Sequence, residues 1–176
     1  MLSSRLIALS PVSAAGGPAW AFIAPVFNRR AALSSAALSG AGLPAEVVES
    51  ADLVIWRKFV LAGSMGPLSA ALQMTVAGVM ENPPARALLF RLVDEIAAVA
   101  TATGVPLDAA ECRTLCENTF GPLGHHRASM TVDVAEGRRT EIDAMCVEVA
   151  RLGREHGIPA PVNEVVGEMI RALEAR

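Results

Sequence analysis

WRKFVLAGSMGPLSAALQMTVAGVM, Trp56–Met80, is the stretch whose reading decides the fold. After Lys58 come 22 residues without a charge. Such a run is a membrane span, a buried helix behind an ordinary surface lysine, or a core helix that holds an ammonium group in a site. About 20 apolar residues suffice to cross a bilayer. Here Gly63, Ser64, Gly66, Pro67, Ser69, Gln73, Thr75 and Gly78 interrupt the run, so no membrane span is expected. A buried central helix pair wrapped by amphipathic helices explains it better, with Pro67 breaking or kinking the first of them.

The totals agree with that reading. The chain has 176 residues, 52% of them apolar, 19% charged, and no Tyr. That length suits one domain, or one domain with an extension. Alanine is abundant and β-branched runs are short, which favours closely packed helices. The expectation is an all-α bundle of about six to eight helices, with no sheet. A net charge of -3 makes no electrostatic case for nucleic acid. Three cysteines, Cys112, Cys116 and Cys146, are an odd number. That argues against a secreted disulfide framework and for a reducing, cytoplasmic setting. Cys112 and Cys116 share a helix face near His125 and His126, but free Cys is usually a small buried hydrophobe, and no metal ligands are assigned.

Outward from the central run, local signals mark the other helices. NRRAALSSAALSGAGLP reads as a short helix closed by Gly40 or Gly42, and PAEVVESADLVIWRKFVLAGSMG as a second. PLSAALQMTVAGVM continues as a shorter one. PPARALLFRLVDEIAAVATATG is the clearest, with proline in its first turn, Leu88, Leu92, Ile96, Val99 and Ala100 at helical spacing, and Gly104 as its stop. LDAAECRTLCENTF ends at Gly121 and Pro122. SMTVDVAEG is a short helix or turn. TEIDAMCVEVARLGREHG carries a stripe of Ile142, Met145, Val149 and Leu152, and IPAP links it to a last helix, PVNEVVGEMIRALEAR. The first 45 residues hold Arg5, Arg29 and Arg30 but no acid. They read as a transit-like segment, a remnant of an upstream domain, or a mis-assigned start. Residues 1–28 are expected to be irregular, and 29–176 to form the helical domain.

Several ordered pieces resemble the C-terminal helical domain of the ketopantoate reductases (2-dehydropantoate 2-reductases). SADLVIWRKF is similar to the family's segment ending in Trp-x-Lys, and GPLSAAL to its Asn-Pro-Leu-Thr-Ala-Leu. SMTVDVAEGRRTEIDAM is similar to its Ser-Met-x-x-Asp, Gly-Arg and Thr-Glu-Ile-Asp run, and HGIPAPVNEVV to its Pro-x-Asn ending. The resemblance implies a fold like the C-terminal domain of 6-phosphogluconate dehydrogenase-like proteins. It implies NADP as cofactor and a small 2-keto acid as substrate. By the same resemblance Lys58 is the general acid toward the ketone oxygen, Glu141 binds substrate and supports the lysine, and Ser129 binds the substrate carboxylate. Read without the family, Lys58 is a solvated side chain, Glu141 an acid in a first helical turn, and Ser129 an N-cap.

The chain also departs from the family. Asparagines expected four and eight residues after the lysine are Ala62 and Gly66, and an Asn-Gly pair is replaced by Cys146 and Val147. No Gly-x-Gly-x-x-Gly follows a strand pattern, so no Rossmann domain and no cofactor-binding residues are expected. A homodimer or a separate nucleotide-binding chain is the expected partner, covering an apolar face. A non-catalytic dimerisation or small-acid-binding module is the alternative.

Overall fold

The computed structural model describes residues 6–9, 24–25, 37–43, 45–48 and 50–175. The chain divides into two compact units, Met1–Ile55 and Trp56–Arg176. In the first, strand β1 (Leu6–Leu9) lies between β2 (Ala24–Pro25) and β3 (Ala45–Val48), antiparallel to both. β1 and β3 pair from Leu6↔Val48 to Leu9↔Ala45. This small sheet departs from the expectation of helices alone. The rest of the first 28 residues, expected to be irregular, lies outside the described residues.

The sheet also moves a helix start. Residues 45–48, expected to open the second helix, are extended, because β1 offers them a ladder of backbone partners. The helix begins where Ser50 can cap it: the Leu53 N–H donates to Ser50 Oγ at 3.2 Å. Just before, the helical residues 37–40 close at Gly42, whose φ is +78°. Its N–H donates to Ser39 O and the Leu43 N–H to Leu38 O, the paired bonds of a Schellman end.

The second unit is an all-α bundle among the described residues. Helix α1 (Ala51–Leu72) enters it from the first unit. From Val60 onward α1 is buried on more than one side, at Val60, Gly63, Ser64, Met65 and Pro67–Ala70. That is why the run carries no charge: a charge there would need a buried partner. No described helix is long and apolar enough to cross a membrane.

Pro67 does not break α1. A proline has no N–H to give the carbonyl four residues back, here that of Gly63. The Cys146 thiol donates to Gly63 O instead, at 3.6 Å. The break comes six residues later, at Gln73, whose φ is +53°. The Met74 N–H donates to Ser69 O and Gln73 Nε2 to Ala70 O, closing the helix end. Helix α2 (Val76–Glu81) then starts afresh, with Thr75 Oγ1 accepting the Gly78 N–H.

Helix α3 (Pro83–Ala102) is the centre of the core: Leu89, Leu92, Val93, Ile96 and Val99 are fully buried. Asn82 caps it, and its prolines occupy the first turn, where N–H groups have no helical partner. Helix α4 (Ala109–Phe120) is capped by Asp108 and runs into a 3-10 turn, Gly121–Leu123. Helix α5 (Ser129–Ala135) follows, then the 3-10 turn Ile142–Ala144, α6 (Cys146–His156) and α7 (Pro161–Glu174).

Glu95 on α3 fixes the start of α7. Its carboxylate accepts the Val162 and Asn163 N–H groups at 2.9 Å each and Asn163 Nδ2 at 2.8 Å. The negative charge sits where the helix exposes free N–H donors. Gly153 lets the α6–α7 hairpin close, since a Cβ there would stand 2.5 Å from Ile158 O. Val147, the bulky residue in place of a small one, packs its Cγ2 against Gly167. Not all of the α7 apolar positions face inward. Val162, Val166 and Ile170 are buried, whereas Val165 and Met169 are exposed.

Candidate functional site

One cavity of about 290 Å³ in the second unit brings together residues from six segments. Helix α1 supplies Lys58, Leu61, Ala62, Met65 and Gly66. These lie at i, i+3, i+4, i+7 and i+8, one face of a helix. The α2 start contributes Val76, and the end of α4 with its 3-10 turn contributes Phe120 and Leu123. His126 and Ala128 come from the following loop. Ser129, Met130 and Asp133 come from α5, and Glu141 and Met145 flank the second 3-10 turn.

Lys58, Ser129 and Glu141, far apart in sequence, therefore line the same space. All three are exposed. Ser129 is the first residue of α5, and Ala128 rather than Ser129 stands at its cap. Glu141 precedes a 3-10 turn and makes no side-chain capping bond there. Neither residue thus has the local capping role that its sequence context suggests.

Backbone and hydroxyl contacts hold the cavity walls. The Val76 N–H donates to His126 O at 2.9 Å and the Ala77 N–H to Gly124 O at 2.7 Å, tying α2 to the loop before α5. Across the other wall, Ser69 Oγ on α1 lies 2.9 Å from Thr131 Oγ1 on α5, both residues fully buried. Ser69 also donates to Gly66 O at 3.1 Å. A hydroxyl has one proton, so Thr131 is the donor in the pair. That chain of bonds sets α5, and Ser129 with it, against α1.

The wall beyond Lys58 is bare. Ala62 and Gly66 present no hydrogen-bonding side chain, and a Cβ at Gly66 would meet nothing within 4 Å. The sequence reading did not assign Asp133 or His126 to the site. Asp133 stands one turn after Ser129, a spacing that puts it on the same face, and it accepts from Arg138 Nε at 2.9 Å. In the sequence His126 stands out only beside His125 near Cys112 and Cys116, a grouping to which no role is assigned.

The cysteines stand apart from this cavity. All three are buried, and burial pushes the Cys116 and Cys146 thiols up to about 12. They are thiols at neutral pH and not thiolate nucleophiles. Among the described residues no group of His, Cys, Asp and Glu is arranged to hold a metal ion. Among the described residues the sheet of the first unit is antiparallel, unlike the parallel βαβ arrangement of a Rossmann domain.

Over residues 50–174 the chain matches the family described as Ketopantoate reductase PanE/ApbA C terminal. It is 33% identical over 140 residues to a 2-dehydropantoate 2-reductase of Lactococcus lactis, covering 78% of this chain and 45% of that protein. Its fold is similar to D-mandelate dehydrogenase solved with NADH and anilino(oxo)acetate, with a TM-score of 0.77 and 27% identity over 87% of this chain and 65% of the other. It is also similar to a 2-dehydropantoate 2-reductase structure from Enterococcus faecalis, with a TM-score of 0.68 and 28% identity over 84% of this chain and 48% of the other. The chain spans about half the length of the curated relatives it matches.

Proposed function

The chain belongs to the ketopantoate reductase family, matching its C-terminal domain, and from that membership we propose that its cavity binds ketopantoate or a related 2-keto acid for reduction. What supports the reading is the meeting of Lys58, Ser129 and Glu141 in one cavity. Each residue has a separate task. Ser129 donates a hydrogen bond to the substrate carboxylate. Lys58 points its ammonium at the ketone oxygen. Glu141 holds that ammonium in place and contacts the substrate.

The chemistry explains why an ammonium is needed. Hydride addition at the ketone carbon turns its oxygen into an alkoxide. A positioned cation stabilises that charge as it develops, and the same group can deliver the proton. Leu61, Met65 and Met130 give the cavity an apolar wall beside these polar groups. NADP, the cofactor the family implies, would supply the hydride when bound, and its site is assigned to another domain or chain.

Ala62 and Gly66 favour a second reading, a small-acid-binding module without turnover, because they leave no hydrogen-bonding group along that wall. Both readings are tested by calorimetric titration of the full chain with ketopantoate, pantoate and NADPH, beside Lys58→Ala. The expected result is binding of the acids, weakened roughly tenfold to a hundredfold in Lys58→Ala. Acid binding that ignores Lys58→Ala refutes the site. Oxidation of NADPH by ketopantoate with the chain alone would overturn the assignment of the cofactor to another domain or chain.

A further inference from the structure

We infer that the groove between α1, α3 and α7 is a second binding site, independent of the proposed 2-keto acid site. Its ligand is a free medium-chain aliphatic carboxylate, with the alkyl chain along the groove and the head group on Arg91. The groove has a volume of about 280 Å³ and shares no lining residue with the Lys58 cavity. Leu68 and Leu72 of α1, Leu88 of α3, and Val162 and Val166 of α7 line it. Every lining residue except Arg91 is apolar. Five large apolar residues stand exposed among the described residues, and two of them, Val165 at 59% and Met169 at 43%, belong to this groove. Apolar surface gathered in one place marks a binding site, whereas scattered exposed residues do not.

Charge selects the head group. Helix α3 carries four charged residues. Arg86 pairs with Glu117, Asp94 with Arg113, and Glu95 holds the start of α7. Arg91 is exposed and makes no hydrogen bond or ion pair among the described residues. On α7, Glu164 and Glu168 are taken up by Arg154 and Arg171. An unneutralised guanidinium therefore stands beside an apolar groove. Its planar fork of N–H donors matches a carboxylate, and its aliphatic stem lies well against an alkyl chain. An ammonium head group would be repelled there. The size selects the occupant too. Small-molecule pockets start at roughly 300 Å³, so this groove has room for one alkyl chain and not for the side of a partner helix.

The test is calorimetric titration of the full chain with octanoate, hexanoate and octylammonium, in wild type, Arg91→Gln and Met169→Glu. Both positions are exposed, so both variants keep the fold, checked by their far-UV spectra. Wild type is expected to bind octanoate roughly tenfold more tightly than hexanoate, the worth of two buried methylenes. It should bind octylammonium roughly tenfold more weakly than octanoate, or worse, because the head-group charge is reversed. Arg91→Gln should weaken octanoate roughly fivefold to tenfold by removing a charge-assisted pair. Met169→Glu should weaken it by roughly tenfold or more, because a second carboxylate then borders the chain. No octanoate binding, no preference for octanoate over hexanoate or octylammonium, or an affinity unmoved by Arg91→Gln overturns the inference. Octanoate displaced by excess ketopantoate lies in the Lys58 cavity and also overturns it. So does a wild-type dimer that Met169→Glu dissociates in sedimentation velocity, which would give the groove to a second copy of the chain.

Discussion

The Ser69–Thr131 pair makes a quantitative test of how α5 is held on α1. Both hydroxyls are fully buried, 2.9 Å apart, and Ser69 passes its own proton to Gly66 O. Thr131→Val removes only a donor, and Ser69 keeps its bond to Gly66 O. The expected loss is about 1 kcal/mol, that of one buried hydrogen bond. Ser69→Ala instead leaves the Thr131 proton buried with no acceptor, which costs about 2 kcal/mol. In the double variant no orphaned hydroxyl remains, and removing both partners is close to neutral, about 1 kcal/mol at most. The two single changes should therefore sum to about 3 kcal/mol and the double to about 1 kcal/mol, a coupling near 2 kcal/mol. Urea unfolding of the four proteins, with matching m-values, measures it. A double variant whose loss equals the sum of the singles within about 0.5 kcal/mol would refute the bonded pair.

Other expectations follow from single contacts. Glu95→Ala strands two buried N–H groups and the Asn163 amide, so a loss of about 2–4 kcal/mol is expected, seen as a Tm lower by about 6–12 °C. Glu95→Gln should lose roughly half of that, since one acceptor oxygen survives without the charge. The same substitution has opposite signs at two glycines. Gly66→Ala should gain up to about 1 kcal/mol, while Gly153→Ala, whose Cβ would meet Ile158 O, should lose about 2 kcal/mol in chemical denaturation. Alkali should destabilise the fold through its thiols. Burial raises Cys116 and Cys146 from 9.0 to about 12, so the unfolded chain ionises first. Stability holds below pH 9 and falls as pH rises from there toward 12, by up to about 1.4 kcal/mol per thiol per pH unit. Urea midpoints at pH 8, 9 and 10 check this, and Cys116→Ala with Cys146→Ala should flatten the slope.

The sequence by itself determined what neighbouring residues decide. Asn82 with Pro83 and Pro84 started α3, Gly104 and Gly157 ended helices, and Gly121 with Pro122 stopped α4, because caps, prolines and left-handed glycines act within one turn. The uncharged run after Lys58 marked a buried central helix because no charge survives unpaired in a core. Lys58, Glu141 and Ser129 were named from the family's ordered motifs, not from anything local.

Contacts between distant segments were decided only by the tertiary structure. A local rule breaks a helix at Pro67, yet α1 passes through it because a thiol 83 residues away takes the Gly63 carbonyl. Acids and a preceding proline suggested a helix at 45–48, yet those residues pair with Leu6–Leu9. His126 and Asp133 joined the cavity through the α2–loop bonds and the Ser69–Thr131 pair, neither of which leaves a periodic trace in the sequence. Local preferences act over a few residues, whereas a cavity wall is made by packing, and its members are neighbours only after the chain has folded.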